Sequence, residues 1–169
     1  MTDLIIRPWI KQDAQALAGI ANNRNIWNQV RDALPSPYTV MDALQWIAHT
    51  AQEKPALNFA VVADGQVVGS IGCKTREDIY RKTIEIGYFI GEPFWGRGYA
   101  REAVSKILQY ISRELDIIRV EAFTFDNNAA SMQVLKSCGF QQESVRRKGV
   151  IKNGVLRDEY VWVWFTETT

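Results

Sequence analysis

The strongest constraint on the fold lies near the middle of the chain, where a strand-like run passes through glycines into a helix. Thr83 to Ile90 alternates and β-branches like a strand, Gly91-Glu92-Pro93 breaks it, and Phe94-Trp95-Gly96-Arg97-Gly98-Tyr99-Ala100 follows. From there Ala100, Ala103, Val104, Ile107, Leu108, Ile111 and Leu115 keep three- and four-residue spacing over about five turns, which predicts the longest helix of the chain. A strand that hands over to a helix in this way demands a layered arrangement, with the helix packed on a sheet and its N-terminus at the sheet's end.

The remaining segments extend that arrangement. Leu4 to Arg7 reads as a first strand, Asp13 is placed to cap a first helix over Ala14, Leu17, Ala18 and Ala21, and Asn22 to Tyr38 is irregular. Thr39 or Asp42 is placed to cap a second helix carrying Ala43, Trp46, Ile47 and Thr50. Phe59–Ala63 and Val67–Gly72 flank Asp64-Gly65, and Gln142–Lys152 and Leu156–Phe165 flank Asn153-Gly154; both pairs read as hairpins around type I′ turns. Between them Ile118–Phe125 predicts a strand, and Asn127-Asn128 starts a short helix through Ser137 that Gly139 ends. The expectation is an α/β (α+β) fold: a mixed, mostly antiparallel sheet of six to seven strands flanked by about four helices on both faces.

With 169 residues, one domain spanning 1–169 is expected, large enough to hold a core without staples. A formal charge of +1 provides no basic field for gripping nucleic acid. Met1 to Arg7 has no signal-peptide pattern, and no apolar run approaches the roughly 18 residues of a membrane span, so a cytoplasmic protein without membrane partners is the simplest expectation. Cys73 and Cys138 are too few for a disulfide framework or a four-ligand zinc site and read as reduced core thiols; no metal is expected.

Glycines let a backbone approach a ligand closely, and the unpaired N–H groups of a helix's first turn attract anions, so the natural ligand of the Phe94–Ala100 loop is a phosphate. A P-loop requires Gly-Lys-Ser/Thr after its fourth intervening residue, whereas Gly91 and Gly96 are followed by Arg97 and Gly98. A dinucleotide fingerprint requires glycine where Arg101 stands, and follows a first strand.

A third kind of loop fits better. Gly98 and Ala100 fill the last two positions of the Gln/Arg-x-x-Gly-x-Gly/Ala pattern, with Trp95 at the usually polar first position, and the segment resembles the acetyl-CoA loop of the general N-acetyltransferase (GNAT) superfamily, in the variant of its RimJ/RimL-like branch. Glu85-Ile86-Gly87-Tyr88 resembles that family's fourth strand, and Asn128-Ala129-Ala130-Ser131 with Gly139-Phe140 resembles the block flanking its fourth helix. The resemblance runs from Arg7-Pro8 to the final hairpin. It implies a GNAT-like acyl-CoA N-acyltransferase fold, acetyl-CoA as cosubstrate, and transfer of acetyl to a primary amine, a peptide or protein N-terminus or a small molecule, by direct attack in a ternary complex.

It also implies roles. The fourth strand, at Tyr88, Phe89 and Ile90, offers backbone groups to the pantetheine amides, with the oxyanion meeting an N–H near Tyr88 or Phe89. Gly98, Tyr99 and Ala100 cradle the pyrophosphate, Arg97 and Arg101 add charge against the phosphates, and Asn128 and Ser131 complete the cofactor set. For proton removal Glu85 is the first candidate, a carboxylate on the strand that borders the thioester; Asp158 and Glu159 are second candidates, of which alternation lets only one face the site. The family's usual general-acid Tyr is replaced by Leu135, and the resemblance points to Ser131 as donor to the leaving thiolate. His49 reads as a packed or solvated residue, and Trp27, Tyr38 and Trp46 fall where the acceptor pocket forms in this fold. Two other readings predict different behaviour: a non-catalytic acyl-CoA-binding module binds CoA without turnover, and a nucleotide-binding protein binds ATP or NAD instead. Monomer and homodimer are both compatible with the sequence.

Overall fold

The computed structural model describes residues 3–167; Met1 and Thr2 of the opening segment, and positions 168 and 169 of the expected domain, lie outside it. The chain runs β1 (Leu4–Pro8), α1 (Ala14–Ala21), α2 (Arg24–Trp27), α3 (Val40–Thr50), β2 (Asn58–Ala63), β3 (Gln66–Thr75), β4 (Thr83–Ile90), α4 (Tyr99–Glu114), β5 (Arg119–Phe125), α5 (Ala129–Ser137), β6 (Gln141–Lys152) and β7 (Val155–Phe165). The strands form one sheet in the order β1-β2-β3-β4-β5-β7-β6. Every pairing is antiparallel except β4 with β5. Among the described residues no helix is long and apolar enough to cross a membrane.

Local chemistry explains the elements. Asp64 and Asn153 take positive φ beside Gly65 and Gly154, which gives both hairpins the turn that matches strand twist. Thr39 caps α3 by accepting the Asp42 N–H, while the Asp42 carboxylate returns to Thr39, so both expected capping residues act as one box. Among the described residues the α-helices number five, because Asn23 accepts the Ile26 N–H and starts the four-residue α2 inside the segment expected to be irregular. Asp13 departs from its expected role. A 3-10 turn over Lys11–Asp13 precedes α1, and the carboxylate accepts two hydrogen bonds from the Arg7 guanidinium at 2.7 and 2.9 Å and one from the Ile10 N–H. A buried carboxylate takes the charged donor within reach rather than capping a helix already begun.

Helices cover both faces. Ile84, Ile86, Val120 and Trp162 pack under α4 and α5 with Val104, Ile107, Ile111 and Leu135, while Ala60, Val62 and Val67 pack under α1 and α3 with Leu17 and Ile47. Cys73 is buried in the first of these cores, but Cys138 is only partly buried, its thiol 3.5 Å from the Arg101 carbonyl; both thiols are free.

Candidate active site

The site originates in a failure of pairing at the centre of the sheet. β4 and β5 are in parallel register only at Thr83–Glu85 against Arg119–Glu121. Beyond Glu85 the strands part, although β5 stays paired with β7 as far as Phe125. The N–H of Gly91 donates to Val68, so the alternation of the antiparallel ladder turns the backbone groups of Gly87 and Phe89 toward β3 and those of Ile86, Tyr88 and Ile90 toward the gap. This corrects one expectation: of the two candidates for the oxyanion, the N–H of Phe89 is in the ladder and that of Tyr88 faces the gap. The Ile90 carbonyl accepts the Trp95 indole N–H at 2.7 Å, which ties the following loop to the strand end.

That loop ends at an uncapped helix. Asn23, Thr39 and Asn128 cap α2, α3 and α5 with side chains, but α4, 16 residues long, begins at Gly98, which has none. The first-turn N–H groups of Tyr99, Ala100 and Arg101 have no intrahelical acceptor. Gly96 and Gly98 sit at φ +75 and +80 with open space where a Cβ would be, so only glycine holds this backbone without strain and leaves its surface bare. Arg97 and Arg101 stand where a helix dipole favours acids, an arrangement that suits an anion lying between them. The Tyr99 ring is buried in the core, so its contribution here is its N–H.

The gap opens into a cavity of about 1180 Å³ that passes through the sheet. On the α4/α5 side, Tyr88 and Ser131 meet: their hydroxyl oxygens are 2.7 Å apart. Asn128 accepts the Ser131 N–H and holds it at the start of α5, so its side-chain oxygen serves the helix. Burial pushes the Tyr88 phenol up to about 12, keeping it protonated. Leu135, at the family's general-acid position, is fully buried, and the hydroxyls on this side come from Tyr88 of β4 and Ser131 of α5 instead. Tyr88, expected only as a backbone group, thus also contributes its side chain, and the alternation that puts Ile84, Ile86, Tyr88 and Ile90 on one face is the signal for it.

Alternation puts Glu85 on the opposite face, with Gly87 and Phe89. Its carboxylate is 2.5 Å from the Arg31 guanidinium, which reaches in from the segment between α2 and α3. Glu159 shares this face, paired with Arg146 at 3.0 Å, whereas Asp158 turns away to accept the Lys148 N–H. The Phe123 ring lies between the two arginines, 4.8 Å from Arg146 and 5.8 Å from Arg31. Lys152 is buried over Trp27, 3.4 Å from the ring centroid, and bonds Asp32 at 2.6 Å, clamping the α2–α3 segment to the last hairpin. Glu92, on the loop below, accepts from Asn23 and Asn25 and fixes the start of α2 to the cofactor side. Trp46 lines this half, Tyr38 is buried beneath it, and His49 is exposed, stacked near Trp46 and outside the cavity lining. The structure thus brings the loop, Tyr88 and Ser131 to one side of the gap and Glu85 to the other.

Comparison with known proteins supplies the context. Residues 3–141 match the family model described as Acetyltransferase (GNAT) domain. The chain is 30% identical over 162 residues to the uncharacterized N-acetyltransferase YoaA of Bacillus subtilis, across 94% of this chain and 91% of that protein. In structure it is similar to RimL, a ribosomal L7/L12 alpha-N-protein acetyltransferase solved with coenzyme A, with a TM-score of 0.86 at 18% identity over 96% and 94% of the two chains. It is also similar to Mycobacterium smegmatis RimJ solved with a CoA disulfide, with a TM-score of 0.85 at 20% identity over 96% and 81%.

Proposed function

The chain belongs to the GNAT acetyltransferase family and is an N-acetyltransferase, and from that premise we propose that it moves the acetyl group of acetyl-CoA onto a primary amine within a ternary complex formed across the β4–β5 gap. The observation that carries this reading is the parting of β4 from β5 after Glu85, directly above a helix N-terminus left without a side-chain cap. The acetyl thioester is the activated group; the residues supply position, hydrogen bonds and a proton acceptor.

Three N–H groups at the start of α4, with Arg97 and Arg101, bind the pyrophosphate. The backbone of Tyr88 and Ile90 aligns the pantetheine along the gap, and the Tyr88 N–H faces the developing oxyanion. Glu85 receives the amine proton from the far side. Holding both reactants in line contributes on the order of 7–11 kcal/mol relative to free encounter, so most of the rate comes from geometry. The leaving thiolate needs little help: a thiol pKa of about 8.5 lies well below the Tyr88 phenol, so the Tyr88–Ser131 pair donates a hydrogen bond to sulfur and keeps its proton. The acceptor is a peptide or protein N-terminus or a small-molecule amine.

Thiol release from acetyl-CoA in the presence of a panel of primary amines tests the reading. Saturable, amine-dependent release that falls in Glu85→Gln while acetyl-CoA still binds supports it. Binding of acetyl-CoA with no release for any amine contradicts it and favours a non-catalytic acyl-CoA module.

A further inference from the structure

The acceptor half of the cavity carries a charge pattern that selects among amines. Outside the phosphate loop its charged lining comprises four cations, Arg31, Lys74, Lys152 and Arg157, of which Lys152 is paired with Asp32 and Arg157 with Asp126, and two carboxylates, Glu85 and Glu159. Each carboxylate is already in an arginine pair, Glu85 with Arg31 and Glu159 with Arg146. Lys74 also stands directly across from Glu85 on β3. Among the described residues, a polycation entering here meets no acid that is not already paired. A lone ammonium approaching Glu85 must share that carboxylate with a guanidinium in contact with it, and like charges at one partner repel.

Resting on the transferase reading above, we propose that the acceptor is an amine that brings its own carboxylate close to the nitrogen, an α-amino acid rather than a polyamine or a peptide N-terminus. Such a zwitterion exchanges one ion pair for two: its carboxylate takes Arg31, and its ammonium takes the Glu85 that Arg31 releases. The spacing fits, because Arg31 and Glu85 are in direct contact and a zwitterion with its charges one carbon apart spans two groups that close. The exchange is also accessible. The Arg31 side chain is 56% exposed, lies on a segment without regular structure, and can change partners by rotating its own side chain, whereas the carboxylate of Glu85 stays on the strand at 18% exposure. Arginine suits the task, since its planar fork donates two hydrogen bonds to a carboxylate. In this arrangement Arg31 is a specificity residue: it screens Glu85 until an acceptor with a carboxylate displaces it.

The test is a matched panel of L-amino acids, their carboxamides and spermidine, assayed by thiol release at saturating acetyl-CoA with the wild type, Arg31→Gln and Arg31→Lys. The expected result is that at least one free amino acid exceeds its own carboxamide in kcat/KM by about tenfold or more, the order set by one charged hydrogen-bonded contact. Arg31→Gln is expected to bring that ratio near one by raising KM for the amino acid, with KM for acetyl-CoA unchanged, and Arg31→Lys to restore part of it. Carboxamides or spermidine turning over as well as free amino acids overturns the proposal. So does an Arg31→Gln variant that loses acid and amide substrates equally. Absence of release with every amine, from protein that still binds acetyl-CoA, is a different failure: it removes the transferase reading and this inference with it.

Discussion

At the residue scale, the chemistry is divided between two sides of β4. Glu85→Gln keeps the size of the side chain and removes its basicity, so kcat at saturating acetyl-CoA is expected to fall about 10²-fold, at the lower end for a general base. An unchanged kcat would reassign Glu85 to a purely electrostatic partner of Arg31. Tyr88→Phe removes the hydroxyl that orients Ser131 and is expected to lower kcat by roughly tenfold with little effect on acetyl-CoA affinity, since the backbone contacts of β4 persist. Asp13 makes a separate prediction, in stability. Burial alone raises its pKa, but the Arg7 hydrogen bonds and the Ile10 N–H outweigh that and hold it below the ordinary value. A depressed folded pKa means that the pair's contribution is fully present above the unfolded value of about 3.9 and disappears as pH falls through the folded one. Arg7→Ala is therefore expected to destabilise at pH 7 by about 2 kcal/mol, less than the loss for a wholly buried pair because Arg7 is 30% exposed. Its deficit against the wild type shrinks in denaturant melts below about pH 4. A deficit that persists unchanged in acid would contradict the assignment.

At the element scale, the key unit is the β4–loop–α4 junction. Gly98→Ala places a Cβ at φ +80, in the left-handed region, at a cost of about 1 kcal/mol, and crowds the surface where a phosphate must approach. The expected outcome is a small loss of stability with a large rise in KM for acetyl-CoA; equal affinity in the variant would mean the loop does not hold the cofactor. Ile107→Ala, in the middle of α4 and fully buried, is expected to cost about 2–5 kcal/mol with no selective effect on cofactor binding. This junction was legible in the sequence because glycines, a proline and a helical period are local signals. Both type I′ hairpins and the Asn128 helix start were legible for the same reason, whereas β3 runs three residues past its expected end at Gly72, to Thr75. The α2 turn and the role of Asp13 were not: a four-residue helix has too few positions to show a period, and Asp13's partner is chosen by tertiary contact rather than by sequence distance.

At the scale of the whole molecule, function depends on where the sheet stops pairing. Alternation in Thr83–Ile90 told which side chains share a face, and the resemblance implied that β4 diverges from β5. No sequence pattern gave the point of divergence, because it depends on the registers of strands that are far apart in the chain. The same limit hid the acceptor side: Arg31, Arg146, Lys152 and Phe123 come from three distant segments and carry no shared motif, although together they set the charge around Glu85. The cofactor side was readable because its residues are contiguous, and the acceptor side was not because its residues are assembled by topology. The most direct test of the central claim is thermal unfolding of the full chain with acetyl-CoA, CoA, ATP or NAD at millimolar concentration. A ligand at 100 times its Kd adds about 2.7 kcal/mol to the folded state, which for a chain of this size raises Tm by roughly 5–10 °C. That rise is expected with acetyl-CoA and CoA and not with NAD. A folded protein whose Tm does not move with either CoA compound would contradict it.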